Sequence, residues 1–355
     1  MVIREQERPF SGLSDNKKML KVGICGASGF TGAMLLRILY KHSSVLISYL
    51  GSNSYNGSNV NALLNSDYEN TPICFSSIDV DLINKKCDLI FLAMPHTASH
   101  LLLKDIKIPA IDLSADFRFN NSALYEKWYG TVHSCPDKLT NRVYGLPELF
   151  RDRIVGSTLI ANPGCYATSI ILPIYPFVRN GLCSSAVADS ASGVSGAGKA
   201  LKKELLFYKV DENYKAYNIA AHKHQPEIEE AIGEKSGQKI ALSFVPHLLP
   251  IRRGILSTIY MDNLSKIDKN EVAMIIKKQY KNEPFIKVRD DPPQILDVVG
   301  TNDCHIYAAV DEHNGKIIVI SAIDNLLKGA SGQAVQNMNI AYGFDETEAI
   351  GGWLG

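Results

Sequence analysis

The chain carries 355 residues, 46% of them hydrophobic and 21% charged, with 37 basic side chains balanced by 37 acidic ones. That content excludes a disordered tail protein and a miniprotein, and it leaves room for two cores of domain size. Zero net charge removes the basic footprint of a nucleic-acid binder, and no apolar run reaches the roughly 20 residues that cross a bilayer.

Residues 1–18 mix charges without an apolar stretch, so they are expected to form a loose N-terminal arm rather than a secretory signal. From Leu20 the pattern sharpens into LKVGIC, GASGFTG and AMLLRILYKH, which predicts strand, tight turn and helix. VLISYLG (45–51), CDLIFLAMP (87–95) and IPAIDLSA (108–115) supply three more apolar strands. Such runs alternating with helices predict a doubly wound parallel sheet, an α/β domain spanning residues 19–163. Beyond it, KIALSFVPHLLP (239–250), GILSTIYMD (254–262) and CHIYAAVDEHNGKIIVISAIDN (304–325) alternate in the manner of antiparallel strands, with HNG as a hairpin turn. Residues 164–325 are therefore expected to be an α+β catalytic and oligomerisation domain, with 326–355 returning as helix to the first domain. The seven cysteines, at 25, 74, 87, 135, 165, 183 and 304, are scattered and never spaced as CxxC. They read as reduced thiols of a cytoplasmic protein.

Gly26, Gly29 and Gly32 stand between the first strand and helix, where missing side chains let a pyrophosphate reach backbone N–H groups at the helix's positive end. Ser28, Phe30 and Thr31 complete that turn. After the second strand come Gly51, Ser52, Asn53 and Ser54. With no carboxylate there to repel a 2′-phosphate, NADP is the expected cofactor. ANPGCYATS sets Cys165 at a helix start, where orphan N–H groups and the helix dipole are expected to depress the thiol's pKa and prepare a nucleophile. AYNIAAHKHQPEI holds His222 and His224, either of which suits general acid/base work. No further ligand lies at zinc spacing, so no metal is expected. SGVSGAGKA (192–200) nearly matches a phosphate-binding GxxxxGK, but Ala200 stands where Ser or Thr must hold magnesium, so an ATPase is rejected. Ser192 and Gly193 are instead expected against a cofactor. Arg118, at the C-terminal end of a strand, suits anion capture, and Asn325 either caps the last helix or donates to a carboxamide.

Taken together, GASGFTG, LAMPH, DLSADFR, YGLPEL, NPGCYATS, SGVSGAGK, AYNIAAHKHQPEI, PHLLPIRRG and IDNLLKGASGQAVQNMN resemble the N-acetyl-γ-glutamyl-phosphate reductases of arginine synthesis, in the family's order from Leu20 to Glu346. The resemblance implies a Rossmann-type domain joined to a semialdehyde-dehydrogenase-like catalytic domain. It implies NADPH-dependent reduction of an acyl phosphate to the semialdehyde through a thioester on Cys165, with His224 or His222 moving the proton. It also implies that Arg118, Asn162 and Arg253 hold substrate and that Ser192, Gly193 and Asn325 border the cofactor. His96, on a loop after the fourth apolar segment, faces the same mouth as a candidate gate, and the apolar antiparallel sheet is expected to associate chains into a homodimer or homotetramer. Aspartate-semialdehyde dehydrogenase is a more distant likeness. Its base histidine follows the stretch matching Arg252, Arg253 and Gly254, where this chain has Ile255. Two alternatives are a reductase of aminoadipyl or aspartyl phosphate, and an NADP-binding redox sensor without turnover.

Overall fold

The computed structural model describes residues 19–61, 73–199, 203 and 206–354; the expected N-terminal arm lies outside them. The first sheet contains β1 (Leu20–Cys25), β2 (Val45–Gly51), β3 (Leu89–Leu92), β4 (Ala110–Asp112), β5 (Val143–Tyr144) and β6 (Leu159–Ala161). Its order is β2-β1-β3-β4-β6-β5 and every pairing is parallel. All four residues of β3 and all three of β4 are buried, as strands covered on both faces require. The helices are α1 (Phe30–Tyr40), α2 (Val80–Lys86), α3 (Ser99–Leu103), α4 (Ser122–Tyr129), α5 (Pro136–Asn141) and α6 (Pro147–Ile154). Met34, Leu35, Leu36, Ile38 and Leu39 form the buried stripe of α1.

After β6, helix α7 (Cys165–Arg179) begins at the cysteine itself, with Gly164 as its N-cap. The second sheet contains β7 (Ser185–Gly193), β8 (Lys215–Ala216), β9 (Ala241–Leu249), β10 (Ile255–Asp262), β11 (Ile286–Val288), β12 (Cys304–Asp311) and β13 (Lys316–Ile323). Their order is β11-β12-β13-β10-β7-β9-β8, and β7 with β9 and β11 with β12 run parallel while the other pairs are antiparallel. The β12–β13 hairpin turns at 312–315, with Gly315 at φ +61°. A one-turn helix α8 (Phe207–Val210), then α9 (His224–Ser236) and α10 (Lys269–Gln279), accompany this sheet. Val187, Tyr260 and Ile318 form one row on the sheet's other face, with Val187 and Tyr260 exposed.

The end of the chain departs from plain helical periodicity. Leu327–Ser331 is a π-helical turn, followed by α11 (Gly332–Tyr342). Asn337 in α11 donates to the Gly145 carbonyl and to Asn162 Oδ1, and Asn339 meets His42 at 3.0 Å. These bonds tie the last helix to the first lobe.

Candidate active site

The glycine turn runs from β1 into α1. Gly26 sits at φ +78°, and a methyl group on it would lie 2.2 Å from the Ala93 carbonyl oxygen. On Gly32, it would lie 2.2 Å from the Gly26 carbonyl oxygen, so both glycines are demanded by backbone packing. Gly29 caps α1 with no side-chain bond, which leaves first-turn N–H groups for an anion. Ser28 Oγ and Ser52 Oγ lie 2.8 Å apart beyond β2, with no carboxylate on that turn. These features fit a dinucleotide carrying a 2′-phosphate. Gly26→Ala is expected to cost about 2 kcal/mol of stability through backbone strain. Urea unfolding is the check, and an unchanged midpoint would contradict it.

Cys165 is half-buried at the first position of α7. The helix-terminus argument predicts a depressed thiol, and the fold reverses it. Burial pushes Cys165 up to about 11, outweighing the Arg118 charge and the Tyr166 backbone N–H, both of which favour the thiolate. Gly164 makes the neighbourhood tight. A methyl group there would lie 2.3 Å from His224 Nε2 and 2.7 Å from Arg118 Nη1.

His224 opens α9 and is converted by its surroundings into a neutral ring. Burial first, then His222, Arg118 and His96, hold its pKa well below the usual value. Arg118 Nη1 lies 3.4 Å from Nε2. A guanidinium only donates, so Nε2 accepts and the proton resides on Nδ1. Nδ1 is buried and has no hydrogen-bond partner among the described residues. His222 differs: its Nδ1 accepts the His224 N–H at 3.2 Å, and its ring packs edge-on against Tyr166, Tyr217 and Phe244. Burial, then Lys223, lowers it to about 4.

Beneath these groups lies a buried carboxylate that the sequence reading did not single out for the site. Glu227 Oε1 accepts the Gly164 N–H and the Tyr144 hydroxyl, each at 2.8 Å, and Oε2 accepts Arg118 Nη1 at 3.2 Å. The signal was available, because His224 and Glu227 stand three apart and share a helix face. Arg118 also donates from Nε to the Asn162 carbonyl and from Nη2 to that of Leu113. Asn162 donates to the Pro163 and Ala330 carbonyls and accepts from Asn337. The resemblance assigns both residues to substrate. In the fold their polar atoms are bonded within the protein instead, and Arg118 is only 6% exposed.

Arg253 remains partly open, its Nε 3.3 Å from Asp324 Oδ2. Asn325 does not cap the last helix: Oδ1 accepts the Gly254 N–H and Nδ2 donates to Ser195 Oγ. Ser192 is buried with its hydroxyl on the Gly193 carbonyl, and a methyl on Gly193 would strike the Arg253 backbone at 2.7 Å. His96 Nδ1 accepts the Ala115 N–H, and its ring meets Tyr129 edge-on.

The π-helical turn joins the two halves of the site. A methyl on Gly329 would lie 2.8 Å from Cys165 Cβ, while Ser331 Oγ donates to the Thr31 carbonyl at 2.9 Å. This five-residue turn thus reaches the Cys165 helix through Gly329 and the start of α1 through Ser331. The sequence reading placed neither the π-turn nor Gly329 in the site.

Residues 21–157 match the family model "Semialdehyde dehydrogenase, NAD binding domain", and residues 165–325 match "Semialdehyde dehydrogenase, dimerisation domain". The chain is 46% identical over 342 residues to an N-acetyl-gamma-glutamyl-phosphate reductase of Campylobacter jejuni subsp. jejuni, covering 93% of this chain and 98% of the relative. A reductase of the same name from Thermoanaerobacter pseudethanolicus is 44% identical, covering 94% of this chain and 98% of the relative. Among solved structures, an aspartate semialdehyde dehydrogenase from Francisella tularensis has the same fold, with TM-score 0.69, 16% identity and coverage of 91% and 99% of the two chains. One from Candida albicans, solved with NADP, has TM-score 0.67, 14% identity and coverage of 91% and 98%.

Proposed function

Because this chain belongs to the N-acetyl-gamma-glutamyl-phosphate reductase family, we propose that it reduces N-acetyl-γ-glutamyl phosphate with NADPH, giving N-acetylglutamate semialdehyde and phosphate. The observation that carries the reading is the π-turn that brings Cys165 against the lobe bearing the glycine turn.

In this mechanism Cys165 sulfur bonds to the acyl carbon as the carbon–oxygen bond to phosphate breaks. The thiol proton leaves with the phosphate, which suits a sulfur held protonated by burial. A thioester on Cys165 remains. NADPH held on the Gly26–Gly32 turn would supply the hydride that reduces this thioester. His224, whose ring edge lies beside Gly164, is the residue assigned to move the proton at the oxygen that becomes negative, and as the carbonyl re-forms the carbon–sulfur bond breaks and the sulfur is reprotonated from solvent. Glu227 and Arg118 position Gly164 and His224 beside Cys165, and Arg253, partly exposed and paired through Nε with Asp324, is the cation assigned to a substrate carboxylate. Ser192, Gly193 and Asn325 shape the loop beside the cofactor. Ile255 is fully buried at the start of β10, which leaves no base there for aspartyl phosphate chemistry of the related kind.

His224→Asn is expected to lower kcat by about 100-fold or more, within the usual range for a positioned proton donor. His222→Asn, which removes a packing ring and an acceptor for one N–H, is expected to cost much less. The reverse ranking in steady-state assays would exchange their roles. Both rings are neutral above their depressed pKa values, His222 from about 4 upward. Accordingly, kcat/KM should show no histidine limb between about pH 6 and 8. The reaction itself is tested backwards: NADP and phosphate with N-acetylglutamate semialdehyde should produce NADPH much faster than with aspartate semialdehyde. Equal rates, or none, would reject the assignment.

A second copy of the chain is the partner best suited to the open face of the second sheet, where Val187, Tyr260 and Ile318 form an apolar row. A homodimer or homotetramer follows. Seven free cysteines suit a cytoplasmic location, and among the described residues no helix is long and apolar enough to cross a membrane.

A further inference from the structure

A dinucleotide bound on the glycine turn sets its adenosine ribose beyond the end of β2. NADP carries there a phosphate that NAD lacks, and a phosphate of nearly two charges calls for a cation. The stretch that builds that point offers none: between Lys41 and Lys85 the sequence has no lysine or arginine. Ser52 and Ser28 supply hydroxyls, 2.8 Å apart, but no charge.

A cation arrives from the other lobe. Lys199, in the loop following β7, places Nζ 3.4 Å from the Ser28 carbonyl oxygen and 3.3 Å from the Tyr55 hydroxyl, 5.1 Å from the Tyr55 ring centroid. Ser28 belongs to the glycine turn and Tyr55 to the short 3₁₀ turn after β2, so the ammonium spans the two walls between which the ribose phosphate must lie. Both partners are uncharged. The lysine's reach is also prepared. Val194 and Ser195 donate their N–H groups to the Ile251 and Arg252 carbonyls, Asn325 Nδ2 holds Ser195 Oγ, and Gly198 turns the chain at φ +82°. Tyr55 is in turn packed on Phe75, with ring centroids 5.9 Å apart.

We infer that Lys199 is the residue that recognises the 2′-phosphate of the bound dinucleotide, a specificity determinant delivered across the crevice by the catalytic lobe. The lysine of the GxxxxGK near miss thus acquires a phosphate partner unrelated to ATP. This inference rests on the NADP reading of the glycine turn, and its consequence is that cofactor choice requires the two lobes together.

The test is calorimetric titration of the full chain with adenosine 2′,5′-bisphosphate and with 5′-AMP, which differ only in the 2′-phosphate, alongside fluorescence titration with NADPH and NADH. Lys199→Met should weaken the bisphosphate and NADPH on the order of 30-fold, as loss of a charge-assisted hydrogen bond does, while 5′-AMP and NADH change by less than about twofold. Lys199→Arg should retain most of the affinity. Equal weakening of all four ligands, or no change in any, would overturn the assignment of Lys199. A wild-type chain that binds NADH as tightly as NADPH would instead overturn the NADP reading itself, and the inference with it.

Discussion

Replacing Cys165 by serine should abolish reductase turnover, by on the order of 10⁴-fold or more, while NADPH affinity stays within about twofold of wild type. Cys165 packs against Gly329 of the π-turn through its Cα and Cβ and follows Gly164, but it is not part of the glycine turn, so binding and chemistry separate at this position. Full retained turnover would remove the covalent route. The resting state of the thiol gives a second readout. With its pKa pushed up to about 11, Cys165 should be alkylated by iodoacetamide at a rate climbing roughly tenfold per pH unit between about pH 7 and 10. Mass mapping of the Cys165 peptide separates it from exposed Cys74. A plateau near neutral pH would show that the helix terminus wins over burial after all.

The second large effect is on stability. Lys328, in the π-turn, is fully buried with Nζ 2.5 Å from Glu148 Oε1 and 2.8 Å from Gln336 Oε1, and Glu148 is itself buried in α6. Lys328→Met should cost about 3–5 kcal/mol, because it leaves a buried carboxylate without its counter-charge. The double change with Glu148→Met should recover much of that loss, since a matched apolar pair no longer buries a lone charge. Urea unfolding of the wild type and the two variants measures both. A single variant as stable as wild type, or a double variant worse than the single, would contradict the ion pair's place in the fold.

The elements most legible from sequence were those in which one physical cause acts alone. The apolar runs of β1 to β4 can only be buried strands, and the alternation around HNG can only be a hairpin with that turn. The short strands β5, β8 and β11 carry too few residues for a period, and β7, SAVADSASG, is too small and polar to announce itself. The parallel pairing of β7 with β9 is likewise invisible in an alternating pattern that serves either direction. At the site, Cys165, His222, His224 and the glycines stood out through residue type and spacing. What did not stand out were groups whose role exists only through distant contacts: Glu227 against Gly164, Lys328 against Glu148, and Gly329 against Cys165. The thiol's pKa failed for the same reason. A helix N-terminus is readable in one dimension, whereas desolvation depends on everything packed around it.

The last helix, α11, bonds through Asn337 and Asn339 to strand and helix ends laid down between 175 and 297 residues earlier, and the π-turn before it closes on Cys165. A chain emerging from the ribosome therefore cannot finish its first lobe until almost the whole polypeptide has been made. Until then the surface of the first lobe that receives α11 stays bare, so loss of the C-terminal segment would act as a folding lesion in the N-terminal lobe rather than as a trimmed end.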